Sequence, residues 1–277
     1  MKSHVARELI ALNTAFYAKH ADSFSATRTA PWEGWRRTID IARQLGALEG
    51  REPRILDLAC GNLRFERFLA GELEPTAAHV DAIDNCPALA ADAGLPGLVF
   101  HDVDILDDLM AYRDDRELGP KVGSTPPCAQ PRLCVDTAPG DLSVCFGFMH
   151  HVPGADLRAA VLDELLARTR PGGIIAVSLW QFMDDDRLAR KAQAADAAAQ
   201  ILEPWRDFDA SDLEPGDHFL GWQDHEGPLR YCHHFSETEV DELAAYAADR
   251  ATEVARFSSD GSSHRLNRYL LLQRSMQ

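Results

Sequence analysis

Arg54-Ile55-Leu56-Asp57-Leu58-Ala59-Cys60-Gly61-Asn62 is the stretch from which the rest of the chain can be read. An apolar run that carries an acid and ends in small residues reads as a buried parallel strand entering a nucleotide-binding loop. Gly61 can adopt φ > 0, or let a ligand approach backbone that a Cβ would shield. A helix is expected from about Leu63, carrying Phe65, Phe68 and Leu69 inward and aiming the free N–H groups of its first turn at the bound molecule. Ala59 and Leu63 stand where a full dinucleotide fingerprint has glycine. An ordinary strand-to-helix turn is therefore the plainer alternative, and the segments on either side have to decide.

Downstream, Ala77-Ala78-His79-Val80-Asp81-Ala82-Ile83-Asp84 reads as a second short strand ending in an acid. Asp84 follows Gly61 by 23 residues, close to the ~20 at which a ribose-binding acid is expected in a nucleotide-binding βαβ unit. Residues 98–104 read as a third strand, with Asp102 or Asp104 placed to meet an adenine amino group. A fourth strand runs from Leu142 into the loop Phe146-Gly147-Phe148-Met149-His150-His151. An amphipathic helix then spans 156–170 and stops at Pro171-Gly172-Gly173, and Ile174 to Trp180 is a fifth, wholly apolar strand. Strands alternating with helices define a doubly wound, mostly parallel sheet, whose ligands bind beyond the carboxyl ends of the strands.

At the amino end, Val5, Leu9, Leu12 and Phe16 form one apolar helix face. Pro31 suits the first turn of a second helix through Trp35 and Ile39. Residues 1–50 are thus expected as a helical cap on a domain spanning 51–277. Insertions are expected at about 107–140, which is rich in Pro and Gly, and at 184–235. The latter holds an Ala-rich helix over 187–202 and a turn-rich cap over 203–230. Asp184-Asp185-Asp186 reads as a solvated face or helix start. Ser236-x-x-Glu239 is a capping box, and residues 251–257 and 266–273 close the chain as two strands.

The chain has 277 residues and a formal net charge of −16, so a nucleic-acid partner would need a local basic patch or a second subunit. The six cysteines are scattered, without a C-x-x-C pair, which reads as free thiols in a reducing compartment. With no apolar run of membrane-spanning length and no signal-peptide pattern, the expectation is a soluble cytoplasmic protein without membrane contact.

The succession of these motifs resembles the class I S-adenosylmethionine-dependent methyltransferases, which have a seven-stranded Rossmann-like sheet closed by a hairpin. A narrower likeness rests on Phe24-Ser25-Ala26-Thr27-Arg28 with Pro31-Trp32, on Cys60-Gly61-Asn62, on His150-His151, on Trp180, and on Arg230-Tyr231-Cys232-His233-His234-Phe235. These are similar to the tRNA methyltransferases that esterify carboxymethyluridine at the wobble position. The resemblance implies S-adenosyl-L-methionine as cofactor and tRNA as acceptor. A small activating protein subunit, required by eukaryotic relatives, is a candidate partner. A small-molecule O- or N-methyltransferase, favoured by the negative charge, and a non-catalytic binding subunit are the alternatives. Leu63, at the last glycine position, would crowd the methionine end of the cofactor or force a different turn. Cys232 replaces a tyrosine of the family's late segment.

The expected cofactor-binding residues are Arg28, Asp57, Ala59, Gly61, Asp84, Asn85, Asp102, Val103, Asp104 and Phe146. A hydroxyl acceptor needs a base, for which His150 and His151 are the candidates, one facing the site and the other packing. A carboxylate acceptor is already ionised and needs none. Arg28 and Arg230 are candidates for holding a carboxylate. Trp32, Trp180, Trp222 and Tyr231 are candidates for walling or stacking on the acceptor, with His233 beside them. Neither histidine pair has metal-ligand spacing, so no metal is expected.

Overall fold

The Arg54–Leu58 strand (β1) lies at the centre of a seven-stranded sheet in the computed structural model of the chain. The structure describes all residues except 28–29, 50–51, 73–77, 91–93, 118–131, 202–209, 223–228 and 277. Arg28, Cys128 and much of the expected 107–140 insertion therefore lie outside the described residues.

The other strands of the sheet are β2 (His79–Asp84), β3 (Leu98–Asp102), β4 (Gly140–Cys145), β5 (Thr169–Trp180), β8 (Ala251–Ser259) and β9 (Asn267–Arg274). Their order is β3-β2-β1-β4-β5-β9-β8, with β9 antiparallel to both of its neighbours and the first five strands parallel. Two further strands, β6 (Asp217–Leu220) and β7 (Arg230–His233), form a separate antiparallel pair. This is the doubly wound α/β sheet that the alternation predicts.

Side-chain alternation along the strands makes two cores. Ile55, Leu142, Val144, Ile174 and Leu271 pack against α2 (Glu33–Gln44) and α3 (Arg64–Glu72) on one face. Leu56, Leu58, Cys145, Ile175 and Val177 pack on the other face against α5 (Ile105–Glu117), α6 (Ala155–Arg168) and α8 (Glu237–Ala247). A strand covered on both sides must be apolar throughout, which is why β5 shows no alternation. A short helix, α4 (Pro87–Ala90), follows β2.

Two boundaries differ from expectation. Pro171-Gly172-Gly173 does not separate helix from strand, because α6 ends at Arg168 and β5 begins at Thr169. Gly172, at φ 76°, lies within a register shift that re-aligns β5 on β4 before Ile174 pairs with Leu142. Asp107 to Glu117 belong to α5, an ordinary crossover helix.

The long helix α1 (Ser3–Ala26) and the Ala-rich α7 (Asp186–Ile201) pack with the β6–β7 pair above the sheet's carboxyl edge. Asp185 accepts the Leu188 N–H at 2.9 Å, so the acidic run starts α7. Asn13 of α1 clamps β7 by accepting the Tyr231 N–H at 2.8 Å and donating to the Tyr231 carbonyl at 3.2 Å. The capping box at Ser236 and Glu239 is formed as expected. No helix among the described residues is long and apolar enough to cross a membrane.

Candidate active site

A cavity of about 520 Å³ runs beneath α1 along the carboxyl ends of the parallel strands. Over β1, β2 and β3 its wall carries Asp57, Ala59, Gly61, Asp84, Asn85, Val103 and Asp104. Over β4 and β5 the wall changes to Phe146, His150, His151 and Trp180, with Tyr17 from α1, Trp32, and Arg230 from β7. The polar half and the aromatic half follow directly from strand order.

The loop after β1 has left-handed backbone at Ala59 (φ 68°), Gly61 (φ 57°) and Leu63 (φ 55°). These alternate positions are the ones at which a glycine-rich fingerprint relieves strain. Here two non-glycine residues adopt the same turn, at roughly 1 kcal/mol or more each. Leu63 does not crowd the cavity. Its side chain is fully buried with Cys60, Ala82, Leu98 and Phe100 beneath β2 and β3. Burial of an isobutyl group, worth ~2 kcal/mol, compensates for its backbone conformation.

Gly61 donates its N–H to Asp84 at 2.9 Å, and Cys86 donates to the other carboxylate oxygen at 3.0 Å. Each oxygen keeps a lone pair, which suits a vicinal diol. Burial raises the Asp84 carboxyl above the usual carboxylate range, against the pull of these backbone bonds. Asp104 accepts from Asn85 at 2.7 Å and caps α5 through the Asp107 N–H at 3.0 Å. Asp102, by contrast, is the last residue of β3, is exposed and lies outside the cavity, which the chain reaches only at Val103 and Asp104 after the strand has ended.

Asp57 is 2 % exposed and faces the neighbouring carboxyl of Glu66 on α3. Beyond Glu66, its Oδ1 has no hydrogen-bond partner among the described residues. Burial, reinforced by Glu66, holds Asp57 well above the ordinary range, and burial pushes Glu66 up to about 7. Arg64, which the sequence reading overlooked, also lines the cavity. Its guanidinium lies 4.9 Å and 4.8 Å over the rings of Trp32 and Trp35, and burial lowers it to about 10.

In the aromatic half both histidines line the cavity, contrary to the expectation that one would turn away. They lie on a 3₁₀ turn (Met149–His151), not on a strand, so successive side chains do not point to opposite faces. Their ring centroids are 4.0 Å apart, and His150 lies 4.7 Å from Trp180. His151 Nε2 is 2.7 Å from the Tyr17 hydroxyl, and its Nδ1 is 3.1 Å from the Tyr231 carbonyl. His150, His151 and Cys232 place potential ligand atoms within 4.8 Å of one another, a proximity invisible in the spacing. Both His151 nitrogens are hydrogen-bonded, so a metal there would displace one of these bonds.

Arg230 is 5 % exposed among Phe16, Trp180 and Trp222, with ring distances of 5.2, 5.9 and 5.9 Å. Burial opposes its charge, but Tyr17 and Cys232 outweigh that and raise its pKa. Tyr231 and His233 are a correction: neither lines the cavity. On β7 they alternate with Arg230 and Cys232 and so face away from it. The Tyr231 hydroxyl donates to Asp217 at 2.7 Å, and His233 lies 2.7 Å from both Asp217 and Glu239. Trp222 stands by the Arg230 guanidinium and is not among the residues lining the cavity.

No family model and no curated protein matches the sequence. Solved structures do match it. A SAM-dependent methyltransferase from Methanosarcina mazei aligns with a TM-score of 0.54 at 14% identity, over 82% of this chain and 95% of that one. An S-adenosylmethionine-dependent methyltransferase from Clostridium acetobutylicum gives 0.54 at 12%, over 94% and 99%. The 1,6-didemethyltoxoflavin-N1-methyltransferase of Burkholderia thailandensis, solved with 1,6-didemethyltoxoflavin and S-adenosylhomocysteine, gives 0.53 at 17%, over 99% and 91%. The chain has the class I S-adenosylmethionine-dependent methyltransferase fold.

Proposed function

We propose that this chain is an S-adenosylmethionine-dependent methyltransferase acting on a small planar acceptor. The observation carrying this reading is one continuous cavity, polar over β1–β3 and aromatic over β4–β5. Its residues fit the cofactor. Gly61 leaves open space where a Cβ would stand, Asp84 suits the ribose diol, and the Asp57 carboxyl suits an ammonium group. Asn85, Val103 and Asp104 are placed for the adenine, and Arg64 for the carboxylate. Bound there, the cofactor supplies an electrophilic methyl group on a sulfonium. The chain's own contribution is to exclude water with α1 and to align an acceptor between Trp32, Trp180 and His150.

The cavity volume of about 520 Å³ and the charge of −16 favour a metabolite-sized acceptor over a polynucleotide. The toxoflavin-precursor methyltransferase, which shares the fold over nearly the whole chain, is a structural precedent for acceptors of that size. Methylation of wobble carboxymethyluridine in tRNA is the second reading, resting on Pro31-Trp32, His150-His151 and the segment from Arg230. Tyr231 and His233, which face away from the cavity, take support from it, as the buried Leu63 does from a non-catalytic subunit. Incubating the protein with methyl-labelled cofactor and either tRNA or phenolic and heterocyclic acceptors separates these readings. Label in small acceptors alone is expected; label in tRNA alone would overturn the choice.

A further inference from the structure

Tyr17 is absent from every motif read in the sequence, yet α1 delivers it to the aromatic half of the cavity beside His151 and Arg230. Its hydroxyl lies 2.7 Å from His151 Nε2 and 3.5 Å from Arg230 Nη1. His151 Nδ1 lies 3.1 Å from the Tyr231 carbonyl, which can only accept. Neither Asn13 nor Cys232 reverses this assignment: the Cys232 Sγ stands 4.0 Å from Nδ1, farther than the Tyr231 carbonyl. The Asn13 carbonyl oxygen is held by the Tyr231 N–H at 2.8 Å, and its amide nitrogen is nearer the Tyr231 oxygen (3.2 Å) than His151 Nδ1 (3.4 Å). The hydrogen-bond pattern therefore puts the imidazole proton on Nδ1 and leaves Nε2 to accept the Tyr17 O–H.

We infer that Tyr17 is the catalytic proton acceptor of this site, relaying to His151, and that the acceptors methylated here carry a neutral N–H or O–H that must be deprotonated. The inference rests on the methyltransferase reading and names its substrate class. As the acceptor atom forms its bond to the methyl carbon, the carbon–sulfur bond of the donor breaks with its electron pair going to sulfur. The acceptor's proton passes to the Tyr17 oxygen, and the Tyr17 proton passes to His151 Nε2. The positive charge that began on sulfur ends on the imidazolium, facing the Tyr231 carbonyl. Arg230 donates to the phenolic oxygen and stabilises negative charge gathering there during the transfer. Carboxylate acceptors need none of this machinery.

The first readout is independent of turnover. Long-range proton–nitrogen spectra of the full ¹⁵N-labelled chain, with His151→Asn used for assignment, report the His151 tautomer. Protonated Nδ1 and bare Nε2 are expected, with the Nε2 resonance shifting in Tyr17→Phe. Protonated Nε2 in the neutral ring would overturn the relay. The second readout uses Tyr17→Phe, which keeps the ring that stands 5.3 Å from both Phe16 and His151. The variant is expected to bind S-adenosylhomocysteine like wild type. It should methylate phenols or ring N–H heterocycles roughly 10²–10⁴-fold more slowly. Turnover within threefold of wild type, or methylation of aromatic carboxylic acids alone, would overturn the inference. Wild type failing to bind S-adenosylhomocysteine would instead remove the underlying reading, and the inference with it.

Discussion

Substituting Gly61 by alanine separates ligand binding from stability. At φ 57° an L-residue costs about 1 kcal/mol. The added Cβ meets no protein atom within 4 Å, so no overlap adds to that figure. In a chain of this size the melting temperature should fall by about 2–4 °C. The methyl group, however, stands at the cavity wall beside the N–H that bonds Asp84. There it blocks the approach of a ligand to the backbone. A loss of at least one typical contact, about 1.4 kcal/mol, is a tenfold weaker Kd. Gly34→Ala is the matched opposite. Its Cβ would lie 2.2 Å from the Tyr269 ring, whose hydroxyl is held by Asp260 at 2.6 Å. That overlap should cost about 3 kcal/mol while leaving the loop chemistry alone. Urea unfolding and calorimetric titration with S-adenosylhomocysteine measure both variants. Wild-type affinity in Gly61→Ala would refute the assignment of this loop to the cofactor.

Glu66→Gln should change the dependence of stability on pH. A carboxyl raised to about 7 in the fold binds its proton more tightly there than in the unfolded chain. Stability is therefore lost as pH rises from about 4.5 to 7, by about 3 kcal/mol in all. The variant should be more stable than wild type at pH 8 and close to it below pH 4.5; equal urea midpoints at pH 8 would contradict this. Ala59→Gly should stabilise by up to about 1 kcal/mol, since it relieves a left-handed backbone at φ 68°. A destabilised variant would show that the methyl group packs more usefully than its conformation costs. Asn13→Ala removes both bonds from α1 to the Tyr231 backbone. It should raise amide exchange at β7 before it lowers global stability, and unchanged exchange there would argue against α1 as the clasp over the cavity.

The fold was legible because its signals are local: one apolar strand with a turn, acids at strand ends, and helices between. The site was legible in its polar half, where strand termini bring Asp57, Asp84 and Asp104 to one edge, and in part in its aromatic half, where Trp32, Phe146, His150, His151, Trp180 and Arg230 line the cavity. Tyr231 and His233 were misassigned by neglecting the two-residue period, which sends them away from Arg230. That rule needs no structure. Glu66, Arg64 and Tyr17 belong to another category. Each lies on a helix and gains its role from a residue on another element. His151 and Tyr17 are 134 positions apart, and no spacing announces their contact. Leu63 showed the reverse. Judged by its position in a motif it obstructs the cofactor, but the left-handed turn it adopts points it into the sheet.

Calorimetric titration of wild type and of Asp84→Ala with S-adenosylmethionine tests the central claim most directly. Wild type is expected to bind at micromolar concentration. Loss of two hydrogen bonds to a carboxylate, each worth about 1.5–3 kcal/mol, should weaken the variant by roughly a hundredfold or more. Asp84→Asn, which keeps an acceptor for the Gly61 N–H, should fall between them. No heat from wild type at millimolar cofactor, or equal affinity in wild type and Asp84→Ala, would contradict the assignment of this cavity to S-adenosylmethionine.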